Sequence, residues 1–254
     1  MKTAKTNKIK EIMSISGMGV LVAFLVLCLF LSIVTKSFLS VSNIMVILRQ
    51  ATWVGMISIA MTFIIATGEI DLSCGSTIGI SAMICGALMK NYGVPVPAAL
   101  LLTVVAGCLI GLINGFMVAK IRLASFIATL AMMQILRGLI YVYTQGIPIY
   151  DLNYPSFTVI SQGYVGFVPV PIIILAITTA IFWYVMYRTK FGRYVLSTGS
   201  NLDAATLVGI DVAKTKMIVY IIMGALASIA GIMLAARSEA AVVEAGSGFE
   251  TDAI

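Results

Sequence analysis

The chain has 254 residues, of which 61% are hydrophobic and only 10% are charged, and its formal net charge is +6. A soluble domain carries about 25% charged and about 45–50% apolar residues, so this composition excludes an ordinary soluble protein and predicts an integral membrane protein. The basic residues lie in short segments between apolar runs, which argues against a nucleic-acid partner. There is no histidine, and the four cysteines form no CxxC pair, so neither a metal site nor a disulfide is expected.

The sequence predicts an all-α, polytopic integral membrane protein with about seven membrane segments. A helix needs about 20 apolar residues to cross the hydrocarbon core. Apolar runs lie at about 17–35, 51–67, 75–89, 97–118, 125–144, 168–187 and 216–236. The third run is short enough to be a half-helix or a re-entrant segment, and residues 38–49 are expected to form an interfacial helix. In the fourth run, Gly107, Gly111 and Gly115 form a GxxxGxxxG ladder, which predicts close helix packing.

Positive charge predicts the orientation of the chain. With the N-terminus in the cytoplasm and all seven segments crossing, eleven Lys and Arg residues fall inside and four outside, and Arg137 falls within a span. Cytoplasmic segments carry the excess of positive charge, so this orientation is favoured. Residues 1–16 are then a cytoplasmic tail and residues 17–254 a single transmembrane domain. Residues 188–215 form a long basic loop in the cytoplasm, and residues 145–167 form the long outer loop.

Two carboxylates, Glu69 and Asp71, lie between the second and third apolar runs, in the stretch TGEIDLSCGS. In one interpretation this stretch is a cytoplasmic helix break, in which Asp71 or Ser73 caps the next helix. In the other it is a broken-helix site. A carboxylate at membrane depth costs about 2.5–3.5 kcal/mol, so it normally faces a partner or a water path. The two interpretations are compatible, and both remain open.

A polar stripe follows one face of the fifth predicted span. Gln134, Arg137, Tyr141 and Thr144 stand at i, i+3, i+7 and i+10, so they share a face. Such a face meets protein or water and not lipid, which predicts either a translocation path or a helix-packing surface. Arg137 is the candidate partner of the two carboxylates. The candidate path residues are therefore Glu69, Asp71, Ser73, Gln134, Arg137 and Tyr141.

The basic loop contains a candidate short helix. Ser200 or Asn201 can serve as its N-cap, Asp203 lies in its first turn, and Gly209 stands where a C-terminal cap belongs. A helix of about seven residues is too short to persist alone in water, so it is expected to contact a partner surface. The candidate contact residues are Ser200, Asn201, Asp203, Ala204, Ala205 and Gly209.

Several stretches together resemble one family. The pattern Asp203-Ala204-Ala205-x-x-x-Gly209 is similar to the Glu-Ala-Ala-x-x-x-Gly loop of ATP-binding-cassette importer permeases, with Asp in place of Glu. Five stretches resemble, in the same order, the ribose-type sugar permeases of that superfamily: TGEIDLSCGS (67–76), NGFMVAKIRLASFIATLAMM (114–133), LRG (136–138), KFGRYVLSTGSNLDAATLVGI (190–210) and GSGFETDAI (246–254). In the family the last stretch continues into further helices, so the chain is expected to be truncated at its C-terminus. Many relatives also have Gly in place of Glu69.

The resemblance implies the permease subunit of an ATP-driven importer for ribose or a related sugar, in a bacterial cell membrane. Its implied partners are a second permease subunit (a homodimer or a paired permease), two cytoplasmic ATPase subunits, an extracytoplasmic sugar-binding protein and the lipid bilayer. The basic loop at 188–215 would be the coupling loop, which contacts the ATPase subunits. The chain has no GxxxxGK[ST] loop, so it is expected to be no enzyme and to bind no cofactor, with ATP used by the ATPase partner. The alternative is a secondary transporter that couples a small polar solute to protons or cations through Glu69 or Asp71.

Overall fold

The computed structural model describes residues 18–253, so the predicted tail at 1–16 lies outside the described residues. A short antiparallel ribbon, β1 (Tyr164–Val165) and β2 (Val168–Pro169), is the exception to an otherwise helical fold in this part of the chain. The helices, in chain order, are α1 (Met18–Val34), α2 (Val41–Ala66), α3 (Cys74–Lys90), α4 (Val96–Ala119), α5 (Ser125–Thr144), α6 (Pro155–Gln162), α7 (Val170–Arg188), α8 (Lys190–Ser200), α9 (Leu202–Leu207), α10 (Val212–Ser238) and α11 (Phe249–Ala253).

The predicted polytopic membrane fold is confirmed. Within residues 18–253, five helices are long and apolar enough to cross a membrane, namely α2, α4, α5, α7 and α10. Helices α1 and α3 are apolar but shorter, with 17 residues each. At 1.5 Å per residue each is about 25 Å long, which is close to the thickness of a hydrocarbon core. These seven helices correspond to the seven predicted segments.

One predicted boundary is wrong. The interfacial helix expected at 38–49 is not a separate element, because α2 runs without interruption from Val41 to Ala66. Residues 41–50 contain no proline or glycine that would end a helix, so the backbone hydrogen bonds continue into the apolar run. Arg49, the charged residue of this stretch, is buried within the fold.

The chain divides into two compact units, residues 1–48 and residues 49–254. The first contains α1 and the beginning of α2. In the second, α10 is the most buried of the long helices and packs mainly against α4 and α3. The predicted glycine ladder of α4 lies at this contact: a Cβ at Gly111 would collide with the carbonyl oxygen of Tyr220, and Gly224 of α10 packs against Gly107. The ladder therefore lets the two backbones approach closely.

In the second unit the connections gather at two ends. At one end Ile70 donates its N–H to Ser125 Oγ (3.3 Å), which joins connection 67–73 to the start of α5. We call this the basic end, because it carries Lys120, Arg122, Arg188, Lys190, Arg193, Lys214 and Lys216. At the opposite end Lys90 pairs with Asp151 (3.4 Å). Helix α3 therefore runs from one end to the other, as a crossing helix does.

Beyond α10 the chain folds back into the bundle. Residues 239–248, which we call the return segment, contain no regular helix and pack along α3. Ala241 lies beside Gly86, Ala245 beside Gly79, and Gly246 beside Gly75. The first and the last of these glycines are eleven positions apart on α3, so the return segment runs about 16 Å along that helix. Irregular backbone at this depth requires burial in protein or a water-filled cavity.

Candidate functional site

The stretch between α2 and α3 is a buried polar turn. Asp71 Oδ1 accepts hydrogen bonds from the Ser73 N–H (2.8 Å) and from Ser73 Oγ (2.7 Å). Asn114 of α4 donates its Nδ2 to Ser73 Oγ (2.8 Å). Ser73 stands at the N-cap of α3, but its side chain makes no capping bond. The predicted side-chain cap is therefore wrong in its detail, because the Asp71 carboxylate accepts from Ser73, and the Ser73 hydroxyl also accepts from Asn114 of α4.

Three further hydrogen bonds fix the same turn to α5 and α10. Tyr220 of α10 donates its hydroxyl to the Ile70 carbonyl oxygen (3.2 Å), and Leu72 donates its N–H to Thr129 Oγ1 (3.1 Å). The Ile70–Ser125 bond described above completes the set. Residues 70–73 are thus tied to α4, α5 and α10 at once. A displacement of α10 at the basic end would carry the turn and the start of α3 with it.

Glu69 lies apart from Asp71 and forms an ion pair with Lys216 at the start of α10. Both side chains are about 14% exposed. The pair stands at the rim of a cleft of about 740 Å³, which Arg122, Asp203 and Asp211 also line. The structure therefore places Glu69 at the basic end, together with the candidate coupling loop, and not beside Arg137. No local sequence signal indicated Lys216, which is 147 residues away in the chain.

The candidate coupling loop folds as two helices. In α9, Asn201 is the N-cap, and its side chain accepts a hydrogen bond from the Ala204 N–H (2.9 Å). Asp203 lies in the first turn and Gly209 has a φ of +83°, so both predicted positions are confirmed. Ser200, the other candidate cap, instead donates to the Leu196 carbonyl oxygen. Ala205 is buried and Ala204 exposed, so only one alanine packs against the bundle.

Helix α8 was not predicted. It occupies residues that were expected to form an irregular loop, and its apolar face packs against α2, where Phe191 stacks on Phe63 with 6.4 Å between the ring centroids. At the C-terminal end of α9, Leu207 and the C-cap residue Val208 are 87% and 76% exposed. A pair of exposed apolar side chains on a short helix at the basic end is typical of a protein-contact surface.

Arg137 does not contact either carboxylate, so its predicted pairing with Glu69 or Asp71 is wrong. Its guanidinium donates to the carbonyl oxygens of Val243 (3.2 Å), Ala245 (3.0 Å) and Gly75 (3.4 Å). The return segment has two turn hydrogen bonds of its own, from the Ala245 N–H to the Val242 carbonyl oxygen and from the Ser247 N–H to the Glu244 carbonyl oxygen. The carbonyl groups of Val243 and Ala245 therefore need an external donor at membrane depth. The five donors of a guanidinium suit that task.

The rest of the polar stripe divides into two parts. Tyr141 donates its hydroxyl to Glu244 of the return segment, on an exposed face, and Gln134 is exposed one helical turn from Arg137. Thr144 donates its hydroxyl to the Ile140 carbonyl oxygen of its own helix and accepts from the Gly146 N–H just beyond it. Glu244 was not predicted as a site residue. Its one sequence signal is that it is a carboxylate within the small-residue stretch AAVVEAGSG. Helical periodicity could not predict that this stretch contacts α5.

Comparison with known proteins identifies the family. Residues 43–254 match the family described as "Branched-chain amino acid transport system / permease component". The chain belongs to this family. It is 39% identical to the ribose import permease protein RbsC of Haemophilus influenzae, over 92% of this chain and 73% of that protein. It is also 39% identical to RbsC of Bacillus subtilis, over 93% of this chain and 74% of that protein.

A third relative is the L-arabinose ABC transporter permease protein AraH of Azospirillum brasilense, which is 33% identical over 94% of this chain and 70% of its own length. No solved structure matches the chain. The chain is thus a multi-pass membrane permease component of ABC-type importers, and it is not itself a catalytic subunit. The family assignment decides against the secondary transporter that remained open from the sequence.

Proposed function

We propose that the chain forms the translocation path of an ATP-driven importer for ribose or a related sugar. The observation that carries this proposal is the identity of 39% with ribose import permeases over 92% of the chain. The substrate side of the path also fits a neutral sugar. On the face formed by α5 and the return segment, the exposed polar groups include an amide, a phenol and a carboxylate, and all three can bond to hydroxyl groups. They belong to Gln134, Tyr141 and Glu244.

The path runs along α5 and the return segment in this proposal. Gln134 and Tyr141 face the path. Arg137 stabilises the return segment, which lines the path, by donating hydrogen bonds to its carbonyl oxygens. Asp71 and Ser73 are fully buried, so they support the turn at its basic end and do not contact the sugar directly. The exposed polar stripe of α5 requires a neighbour other than lipid. A second permease subunit, as a homodimer or a paired permease, would supply it.

The basic end is the coupling end in this proposal. Positive charge marks it as cytoplasmic. An ATPase subunit would contact α9 through Leu207 and Val208 and use the adjoining cleft, with ATP bound by that partner and not by this chain. Movement of α9 and of the Glu69–Lys216 pair would reach the turn at 70–73 through α10. A sugar-binding protein would deliver substrate at the opposite end.

Reconstitution into vesicles tests the proposal. The chain would be combined with its ATPase and its sugar-binding protein, and the accumulation of labelled ribose, xylose and L-arabinose would be measured. We expect accumulation that requires ATP and the binding protein and that is greatest for one of these sugars. Vesicles with a hydrolysis-deficient ATPase are the control. Accumulation driven by an ion gradient without ATP would contradict the proposal.

A further inference from the structure

Arg49 of α2 is a buried cation with two unused donors. Its side chain is 6% exposed, and its Nε and Nη2 atoms have no hydrogen-bond partner within residues 18–253. These two nitrogens are neighbours on one edge of the guanidinium, and they form the fork that binds both oxygens of a carboxylate or phosphate. A buried charge without a partner is strongly unfavourable, so the fork indicates a bound anion.

The depth of Arg49 narrows the choice of anion. From Arg49 to Ala66, which lies at the basic end, α2 rises about 26 Å. A hydrocarbon core is about 30 Å thick. Arg49 therefore lies close to the boundary between hydrocarbon and headgroups in the leaflet at the opposite end. The anions concentrated at that boundary are the phosphate groups of lipids.

The ribbon between α6 and α7 supports a lipid contact at the same place. The ring of Tyr164 in β1 lies over the guanidinium of Arg49, with 4.9 Å from Cζ to the ring centroid. Tyr164, Val165 and Phe167 are all more than half exposed, directly before a membrane-crossing helix. Exposed aromatic side chains at that level are typical of segments that enter the membrane interface. Ser161 of α6, three residues before Tyr164, also has a buried hydroxyl without a partner within the described residues.

We propose that Arg49 binds the phosphate group of a membrane phospholipid through Nε and Nη2, beneath the ring of Tyr164. The cation–π contact covers one face of the guanidinium, and the Nε and Nη2 atoms, which are closed off from solvent in this structure, bond to the phosphate once the site opens. The exposed ring swings aside to admit the lipid, whose chains then follow the apolar surface of α2 and the ribbon. The permease would in this way carry one tightly held lipid at its outer side.

Lipid retention in the purified protein tests this proposal. The full chain would be purified in detergent, titrated with phosphatidylglycerol and examined by native mass spectrometry, alongside Arg49→Lys and Arg49→Gln. We expect one retained lipid in the unchanged chain. Because each charge-assisted hydrogen bond contributes about ten- to a hundredfold to affinity, both variants should bind the lipid at least about tenfold more weakly. Arg49→Lys keeps the charge and loses the fork, so it separates geometry from charge.

Arg188→Gln is the matched control. Arg188 also stacks on an aromatic ring, that of Trp183 at 5.9 Å, but it is exposed at the basic end. Its substitution should leave the retained lipid in place. Two further arms use the unchanged chain: competition with inorganic phosphate, and thermal unfolding in phosphatidylglycerol compared with a galactolipid that lacks phosphate.

Each outcome decides the proposal. Stabilisation by phosphatidylglycerol alone, lost in Arg49→Lys, supports it even if Arg49→Gln fails to fold. Displacement of the lipid by inorganic phosphate at similar concentration would assign the site to a free anion and overturn the lipid. Equal retention of the lipid in Arg49→Lys, Arg49→Gln and the unchanged chain would show that Arg49 does not hold it and would overturn the proposal. Unchanged lipid binding with weakened contact to the sugar-binding protein would assign the fork to a protein carboxylate instead.

Discussion

Asp71 is buried, yet its two hydrogen bonds from Ser73 need only an acceptor oxygen. Asp71→Asn keeps such an oxygen, whereas Asp71→Ala leaves two buried donors without a partner. We expect Asp71→Ala to lower the free energy of unfolding by about 1–3 kcal/mol, and Asp71→Asn to change it little. Thermal unfolding in detergent and uptake in vesicles would measure the pair. If Asp71→Asn folds normally but loses transport as fully as Asp71→Ala, the carboxylate charge has a role beyond the turn.

Arg137 is expected to act by holding the return segment. Arg137→Lys keeps the charge, but a shorter side chain with a point charge cannot reach the carbonyl oxygens of Val243, Ala245 and Gly75 together. Backbone amides at 239–248 should then exchange hydrogen faster, because the segment opens more often. Gln134→Ala on the same helix is the control, since Gln134 is exposed and should leave exchange unchanged. Unaltered exchange in Arg137→Lys would mean that the packing against α3 suffices.

Among the helices, α9 carries exposed apolar side chains that are expected to contact the ATPase subunit. Leu207 is 87% exposed, so Leu207→Glu should leave the fold intact while it weakens the contact with the ATPase subunit. We expect lower co-purification of the ATPase and less sugar moved per ATP hydrolysed. Tyr92→Glu is a matched control, because Tyr92 is exposed at the opposite end. Equal effects of both changes would point to a general insertion defect and not to docking.

The close packing of α4 against α10 is expected to exclude larger side chains at its glycines. Gly111→Leu places a side chain where the Tyr220 backbone lies, whereas Gly138→Leu on α5 points into open space, with nothing within 4 Å of its Cβ. Overpacking of a close contact costs about 1–3 kcal/mol or more. We expect a lower unfolding temperature for Gly111→Leu and almost none of that effect for Gly138→Leu. Similar unfolding temperatures would show that the two helices can separate without loss.

For the molecule as a whole, the sequence predicted the features that depend on residues close together in the chain, and it missed those that depend on distant ones. The spans, the ladder at Gly107–Gly115 and the cap at Asn201 depend on neighbouring residues and were confirmed. The Glu69–Lys216 pair joins residues 147 positions apart, and the bonds of Arg137 join residues more than 60 positions apart. Helical periodicity relates only residues within a few turns, so it could not predict either contact. The return segment was missed for the same reason, since the carbonyl oxygens of Val243 and Ala245 accept hydrogen bonds from Arg137, more than 100 positions away.

The two ends of the second unit are expected to lie on opposite sides of the membrane. Because α3 runs from the basic end to Lys90, Tyr92 and Asp203 should lie on different sides; were α3 a half-helix, they would lie on the same side. In a background without Cys28, Cys74, Cys85 and Cys108, Tyr92→Cys and Asp203→Cys would be treated with a membrane-impermeant thiol reagent in intact cells and in inverted vesicles. Positive charge predicts that Tyr92→Cys reacts in intact cells and Asp203→Cys in inverted vesicles. Reaction of both in the same preparation would show that α3 does not cross, and reversed reaction would overturn the orientation alone.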